Sequence, residues 1–94
     1  MPKWKNLTNN AQRVRFLFMK YMTYRIKKGY VFHKNKTPAE LQGELLPAID
    51  PEDEDAVRAF DLLFDNYPIA RYQEEKRAEE ILNDPLVAEM RSLI

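Results

Sequence analysis

Residues 8–28 contain neither glycine nor proline and are followed directly by Gly29. Apolar side chains recur there at the spacing of one helical face: Val14, Leu17, Phe18 and Tyr21. Further apolar residues widen this stripe, so we expect a central helix that touches two neighbours: Phe16, Met19, Met22 and Ile26. Gly29 is expected to end the helix in the left-handed region, which glycine adopts without steric cost. The chain is therefore predicted to be helical, built around this first long helix.

Proline follows a capping side chain at three later places, each a typical helix start. Thr37-Pro38-Ala39-Glu40 combines a capping hydroxyl, a proline at the first helical position and a glutamate that can return to the threonine amide. Asp50-Pro51 and Asp84-Pro85 have a similar arrangement, and carboxylates in a first turn favour a helix N-terminus. We predict a second helix ended by Pro47, a third that begins near Pro51 and a short last one after Asn83.

Pro68 interrupts the long helical pattern between residues 51 and 82. One straight helix over this span would be roughly 48 Å long, whereas a globule of this size has a diameter of roughly 32 Å. We therefore expect a break or kink around residues 65–67, with Pro68 in the first turn of a new helix. Residues 1–94 are predicted to form one small all-α domain, a bundle of four to five helices.

The composition excludes several kinds of functional site. There is no cysteine, one histidine (His33) and only two glycines, so disulfides, thiolate metal sites and glycine-rich phosphate loops are ruled out. The carboxylates of residues 53–55 and 74–80 fit a helix start and a solvated helix face better than a metal or acid–base site. We expect no enzyme activity, no cofactor, no metal and no small-molecule substrate.

Charge divides the chain into two halves. Residues 1–36 contain ten lysines and arginines and no aspartate or glutamate, whereas the remainder holds five basic residues and all fifteen acidic ones. Such an asymmetry suggests a charged surface as partner. Three explanations stay open: the acidic half folds over the basic half, nucleic acid binds the basic and aromatic first helix, or an anionic membrane surface lies next to it.

Three segments, in order, carry a family resemblance: the basic first helix ending at Gly29, the helix start at residues 37–41, and residues 62–72. In the third segment, the matching residues are Tyr67, Ala70, Arg71 and Tyr72. The chain resembles the C-terminal helical domain of unknown function behind the last transmembrane helix of bacterial and archaeal transglutaminase-like membrane proteins. The resemblance covers roughly residues 12–73, and residues 74–94 form a helical extension. Gln73 stands where that family usually has glycine, which predicts that the helix continues past Tyr72.

The resemblance implies where the domain is located in the cell, but it implies no chemical reaction. In relatives the domain lies in the cytoplasm, at the inner face of the cell membrane, tethered behind a span of a larger membrane protein. We expect a docking or regulatory module that faces anionic lipid and an unidentified protein partner. An upright first helix would leave Lys27 and Lys28 beyond the range of the headgroups. The cations expected to contact the membrane surface are Lys3, Lys5, Arg13 and Arg15.

The residues of the family motifs are expected to have structural roles: Gly29, Thr37, Pro38, Glu40, Tyr67, Ala70, Arg71 and Tyr72. Arg71 and Tyr72 should hold the last long helix against the first, with Tyr21 or Tyr24 as neighbours, so that Arg71→Ala lowers the melting temperature by several degrees. The alternative function is a small nucleic-acid-binding helical protein that uses the basic first helix. A third is a stand-alone oligomeric scaffold.

Overall fold

The first long helix, α1, spans Asn10–Lys27, close to its predicted bounds. The computed structural model describes residues 3–94, and four more helices follow: α2 (Pro38–Leu45), α3 (Glu54–Tyr72), α4 (Glu75–Ile81) and α5 (Asp84–Leu93). Short 3-10 turns lie at Trp4–Asn6 and Leu46–Ala48. Residues 3–94 contain no strand, so the predicted all-α bundle of four to five helices is confirmed.

α1 and α3 form the centre of the core. The ring of Phe18 stacks on that of Tyr67 with centroids 3.6 Å apart, and it meets Phe64 edge-on at 5.6 Å. Near the start of α1, Arg15 donates from Nη1 to the carbonyl of Ala70 at 3.2 Å, close to the end of α3. The two helices therefore run antiparallel. α4 and α5 contact both of them, and α2 packs against α3.

Gly29 ends α1 as predicted. Its φ is +108°, in the region where a side chain would be strained. The N–H of Gly29 donates to the carbonyl of Ile26 at 3.0 Å, and the N–H of Tyr30 donates to that of Arg25 at 3.0 Å. This pair of bonds is the Schellman motif, which satisfies carbonyls that the helix end leaves free.

The capping box of α2 is also confirmed. The Thr37 hydroxyl accepts from the Glu40 N–H at 3.3 Å, and the Glu40 carboxylate accepts from the Thr37 N–H at 3.2 Å. The Thr37 N–H, followed by its hydroxyl, lowers the pKa of Glu40 below the ordinary glutamate value. Pro38 occupies the first helical position, and Pro47 lies in the 3-10 turn that follows the helix.

Pro68 does not interrupt α3, so the predicted break at residues 65–67 is wrong. The helix continues from Glu54 through Pro68 to Tyr72. A proline inside a helix removes a backbone hydrogen bond and costs about 3 kcal/mol or more. Here its flanks are fixed in the core, because Phe64, Tyr67 and Ala70 are 4%, 8% and 3% exposed. Burial on both sides of the proline offsets the local cost.

The long pattern breaks instead at Gln73 and Glu74. Gln73 has extended backbone angles (φ −80°, ψ 151°) and caps α3, so the predicted continuation past Tyr72 is wrong as well. The break turns α4 back onto α1, where Ala78 is 1% exposed. The chain is too long for one straight helix here, but the position of the break is set by what α4 packs against.

α3 also begins later than the Asp50-Pro51 signal predicts. The Asp50 carboxylate accepts from the Glu52 N–H at 2.9 Å, and residues 51–52 form a turn. Asp53 is the N-cap, and its carboxylate accepts from the Ala56 N–H at 3.0 Å. Of the carboxylates in this run, one therefore caps the helix and another stabilises a turn.

Candidate cationic binding surface

The outward half of α1 carries no carboxylate. Seven residues of the helix are exposed, and they are cations, apolar or aromatic side chains and one threonine: Arg15, Met19, Lys20, Thr23, Tyr24, Ile26 and Lys27. These seven residues form the α1 outer face. Met19 and Ile26 are 59% and 46% exposed, so the expectation that the widened apolar stripe packs on two neighbours is wrong at these positions. α1 has one buried face and one free face.

Tyr24, on the outer face, orders two neighbouring cations. The Arg25 guanidinium lies 5.7 Å from the centroid of its ring, and Lys28 Nζ lies 5.6 Å from it. Arg25 also donates from Nε to the Tyr21 hydroxyl at 3.2 Å. Exposed cation–π contacts are worth about 0.5–1 kcal/mol, and the cation keeps its full charge. The contacts therefore position these charges and leave them available to an anionic partner.

A depression of about 480 Å³ opens between the outer face and the start of α3. Lys20 and Tyr24 line one side of it, and Asp53 and Asp55 line the other. Within residues 3–94, no ion pair of 4.0 Å or less joins the two sides. The acidic half approaches the outer face along this edge without forming ion pairs with its cations.

The four cations predicted to contact a membrane are not gathered in one patch. Lys3 and Lys5 are exposed beside Trp4. Arg13 is half-buried and lines a depression with Trp4, whereas Arg15 lines a separate one near the end of α3. Both arginines also make hydrogen bonds within the protein. Lys20 and Lys27, the cations of the outer face further along α1, are also exposed, and the sequence-based set does not include them.

Hydrogen bonds to the acidic half fix the start of α1. The Glu79 carboxylate of α4 accepts from the backbone N–H groups of Asn10 at 2.9 Å and Ala11 at 3.0 Å. Asn10, 6% exposed, donates to the Leu82 carbonyl at 2.7 Å and to Asp84 at 2.8 Å. A carboxylate is stabilising beside the partial positive charge of a helix N-terminus. These five residues form the N-terminal latch.

Ion pairs contribute little to joining the two halves of the chain. The structure shows three of them over residues 3–94: Lys36–Glu44 at 2.7 Å, Arg58–Glu89 at 3.0 Å and Arg77–Glu80 at 3.6 Å. Lys36 is the one N-terminal cation in this set, and its hydrogen bond to Glu44 raises its pKa. Folding of the acidic half over the basic half therefore explains the latch but leaves the outer face unneutralised.

The motif residues at the end of α3 divide into an inward and an outward pair. Tyr67 and Ala70 are buried against α1, but Tyr72 is 62% exposed. Arg71 donates from Nη1 to the Tyr67 hydroxyl of its own helix at 3.0 Å, which raises the pKa of Arg71. The expectation that Tyr72 holds α3 against α1 is wrong, because Tyr72 lies about 140° around the helix from Tyr67, off the buried face. Arg71 lies about 40° around the helix from Tyr67. Its side chain is exposed and, within residues 3–94, its hydrogen bond is made inside α3 and not to α1.

Reactive groups are scattered over the described part of the chain. His33 is exposed, as predicted, and Ser92 donates from Oγ to the carbonyl of Glu89 at 2.7 Å. Residues 3–94 contain no group of three or more histidine or carboxylate side chains that could hold a metal ion. Within the same range, no helix is both long and apolar enough to cross a membrane.

Comparisons with known proteins add no relative. No protein-family model, curated protein or solved structure matches the chain. The resemblance to the domain of transglutaminase-like membrane proteins therefore stays a prediction from the motifs.

The outer face had a signal in the sequence that points to exposure. Met19 and Ile26 are seven residues apart, on one line along the helix, and Lys20 and Lys27 repeat at the same spacing beside them. An apolar line next to a cationic line fits an interfacial helix as well as a core helix. Burial of the opposite side, where Leu17 is 1% exposed, shows that the line of Met19 and Ile26 faces away from the core.

Proposed function

We propose that the chain is a non-catalytic helical module that binds an anionic membrane surface through the α1 outer face and docks an unidentified protein partner. The observation that carries the proposal is that the exposed residues of α1 include three cations and no carboxylate. In this proposal the module belongs to a larger membrane protein and lies at the cytoplasmic side of the membrane, as the family resemblance implies.

The distribution of charge favours α1 lying flat on the membrane. From Arg15 to Lys27 the helix rises roughly 18 Å, more than the Debye length of about 8 Å at physiological salt. An upright helix would place one end out of range, whereas a flat helix keeps Arg15, Lys20 and Lys27 close to the headgroups. Each cation near an anionic leaflet contributes about 1 kcal/mol. Met19 and Ile26 lie among these cations and gain apolar contact in the same orientation.

Nucleic acid is the alternative partner, and Tyr24 is the residue that favours it. Its ring is 52% exposed and flanked by Arg25 and Lys28, a combination that suits base stacking beside phosphates. Met19 and Ile26 favour lipid, because aliphatic side chains on a binding face gain from acyl chains and add little to phosphate contacts. Lipid accounts for more of the outer face.

Vesicle binding tests the proposal directly. The wild-type protein should bind vesicles of mixed phosphatidylcholine and phosphatidylglycerol and not vesicles of phosphatidylcholine alone. Lys20→Gln combined with Lys27→Gln should weaken binding roughly 30-fold, since two contributions of about 1 kcal/mol are lost. The matched control is Lys76→Gln combined with Arg77→Gln, two exposed cations of α4.

Three outcomes would contradict the proposal. The wild type could ignore anionic vesicles, the outer-face variant could bind them as the α4 control does, or a duplex or single-stranded oligonucleotide could bind more tightly than the vesicles at the same salt concentration. The last result would favour the nucleic-acid function, with an affinity that falls steeply as salt is raised.

The tether has a separate test in native cells. If the module belongs to a membrane protein, the native polypeptide should sediment with membranes and stay there after washing with concentrated salt, which removes proteins held by surface charge alone. Release by the salt wash would leave the vesicle binding intact and contradict the tether. Recovery in the first supernatant would contradict both the tether and the membrane location.

A further inference from the structure

The loop between α1 and α2 presents two adjacent apolar side chains to solvent. Val31 is 69% exposed and Phe32 is 47% exposed. The loop has no helix or strand of its own over residues 30–33. When a partner buries two adjacent apolar side chains of this kind, their removal from water makes a favourable contribution to the free energy of binding.

Both ends of this loop are anchored to the helices. At the first end, the Schellman motif fixes Gly29, and Tyr30 packs partly buried against the core. At the other end, Lys36 Nζ lies 2.7 Å from the Glu44 carboxylate of α2, and the Lys36 N–H donates to the carbonyl of His33 at 3.4 Å. Val31 and Phe32 therefore sit on a constrained turn, and ordering them on a partner costs little extra entropy.

The surroundings of the loop are cationic. Lys27, Lys28 and Lys34 lie within a few residues of the apolar pair, and all three are exposed. Glu40 is the first carboxylate of the entire chain, and it is held in the capping box of α2. Apolar side chains that protrude from a cationic rim complement a surface that is anionic outside and apolar beneath.

We propose that Val31 and Phe32 insert into the boundary between headgroups and acyl chains of an anionic bilayer, while Lys28 and Lys34 contact headgroup phosphates. The inference rests on the proposed membrane binding of the α1 outer face, and it adds an apolar anchor to that electrostatic contact. The loop follows α1 directly after Lys27, the last exposed cation of the outer face, so the two surfaces adjoin along the chain.

Two substitutions test the insertion. Val31→Ser and Phe32→Ser should each weaken binding to vesicles of mixed phosphatidylcholine and phosphatidylglycerol about tenfold, because each removes roughly one buried apolar side chain from the bound state. Tyr72→Ser is the matched control, since Tyr72 is 62% exposed at the opposite end of α3 from the loop. Circular dichroism of each variant verifies that the helices are retained.

The absence of cysteine allows a second readout of depth. Phe32→Cys and, as control, Tyr72→Cys can each carry one polarity-sensitive fluorophore. On addition of anionic vesicles, the label at position 32 should shift to shorter wavelength and be quenched by lipids brominated near the headgroup. The label at position 72 should keep its aqueous emission.

The outcomes separate this inference from the proposed function. If the wild type binds anionic vesicles while Phe32→Ser binds equally well and the label at position 32 stays aqueous, insertion is refuted and binding by the outer face stands. If insertion occurs, raising the salt concentration should leave residual binding of the wild type, and Val31→Ser should weaken that residual binding about tenfold. If the wild type does not bind anionic vesicles at all, both proposals fail together.

Discussion

α1 and α3 are the two long helices of the protein, and their solvent-exposed sides carry opposite net charge. They have 18 and 19 residues, and each buries one face against the other through Phe18, Phe64 and Tyr67. Their outer faces differ in sign: α1 exposes three cations and no carboxylate, whereas the exposed stripe of α3 includes the carboxylates of Glu54, Asp61 and Asp65. Burial constrains the inner faces to be apolar, and the charge of the outer faces is left to be set by function.

The two helices also differ in how their N-termini are stabilised. α3 has its own carboxylates, with Asp53 as N-cap and Glu54 and Asp55 in the first turn. α1 has no acidic residue in its first turn, so beyond the Asn9 cap it depends on Glu79 from α4. All charged residues of α1 are basic, so a carboxylate at its N-terminus has to come from another segment of the fold. The N-terminal latch follows from the charge asymmetry.

The largest expected effect separates the inner from the outer face of α3. Phe64→Ala should destabilise the protein by about 3–5 kcal/mol, because Phe64 is 4% exposed and contacts the rings of Phe18, Tyr21 and Phe60. Tyr72→Ala, an aromatic truncation on the outer side of the same helix, should change stability by less than about 0.5 kcal/mol. Urea denaturation measures both, and equal losses would contradict the assignment of the two faces.

A smaller effect compares the two N-termini. Glu79→Ala removes a carboxylate that accepts two backbone N–H groups of α1 and should cost about 1.5–3 kcal/mol. Asp53→Ala removes the cap of α3 and should cost about 1 kcal/mol. Thermal denaturation gives the order of the two. Glu80→Ala is the control, because Glu80 is exposed and adjacent to Glu79. If it lowered the stability as much as Glu79→Ala does, the hydrogen bonds of the N-terminal latch would not be the cause.

Arg71→Ala should have less effect than the sequence motif suggests. The Arg71 guanidinium bonds to Tyr67 and lies beside Tyr72, both of its own helix, so its removal breaks no hydrogen bond or ion pair between helices among residues 3–94. The melting temperature should change by less than about 2 °C. Arg15→Ala, which removes the hydrogen bond from α1 to the Ala70 carbonyl, should lower it more. A fall of several degrees for Arg71→Ala would restore the motif-based role.

The smallest effect concerns the ion pair on the exposed side of α3, which joins Arg58 of α3 to Glu89 of α5. The hydrogen bond from Arg58 lowers the pKa of Glu89 below its ordinary value of 4.5. Because the folded-state pKa is the lower one, the pair stabilises the protein above that ordinary value, and the contribution is lost as the pH falls through the folded-state pKa. Glu89→Gln should lower the melting temperature by about 1 °C at neutral pH. The difference in melting temperature between Glu89→Gln and the wild type should vanish in acid. A difference that grew as the pH fell would contradict a stabilising ion pair between Arg58 and Glu89.

Local signals predicted several features of the fold correctly. The apolar spacing of α1, the Gly29 terminator, the Thr37–Glu40 capping box and the start of α5 after Asn83 each depend on a few neighbouring residues. Such interactions act over one or two turns, so the sequence contains all of the partners. The exposure of His33 was predicted correctly as well. The solvated face predicted for residues 74–80 is wrong at Glu79, which is half-buried and accepts two backbone N–H groups of α1.

Pro68 and Gln73 are two positions where the conformational preference of the residue itself does not predict the helix ends. Proline breaks an isolated helix, but the burial of Tyr67 and Ala70 on α1 keeps α3 intact around it. Gln73 is compatible with a helix, yet the chain turns there and brings Glu75 and Glu79 to the start of α1. In both cases contacts between residues far apart in sequence outweigh the preference of a single residue. The same distant contacts decided that Met19 and Ile26 would be exposed and Tyr67 buried.

The amino-acid sequence alone determined the helical class, the ends of most helices and the separation of charge, because these follow from spacing, capping and composition. Tertiary structure decided which side of α1 faces water, where α3 ends and which carboxylate accepts hydrogen bonds at the N-terminus of α1. Those choices depend on packing between distant segments, since one apolar side chain can serve equally well in a core or on an exposed face. The outer face and the loop of Val31 and Phe32 are candidate binding surfaces because the fold leaves them exposed while it buries the opposite side of α1 in the core.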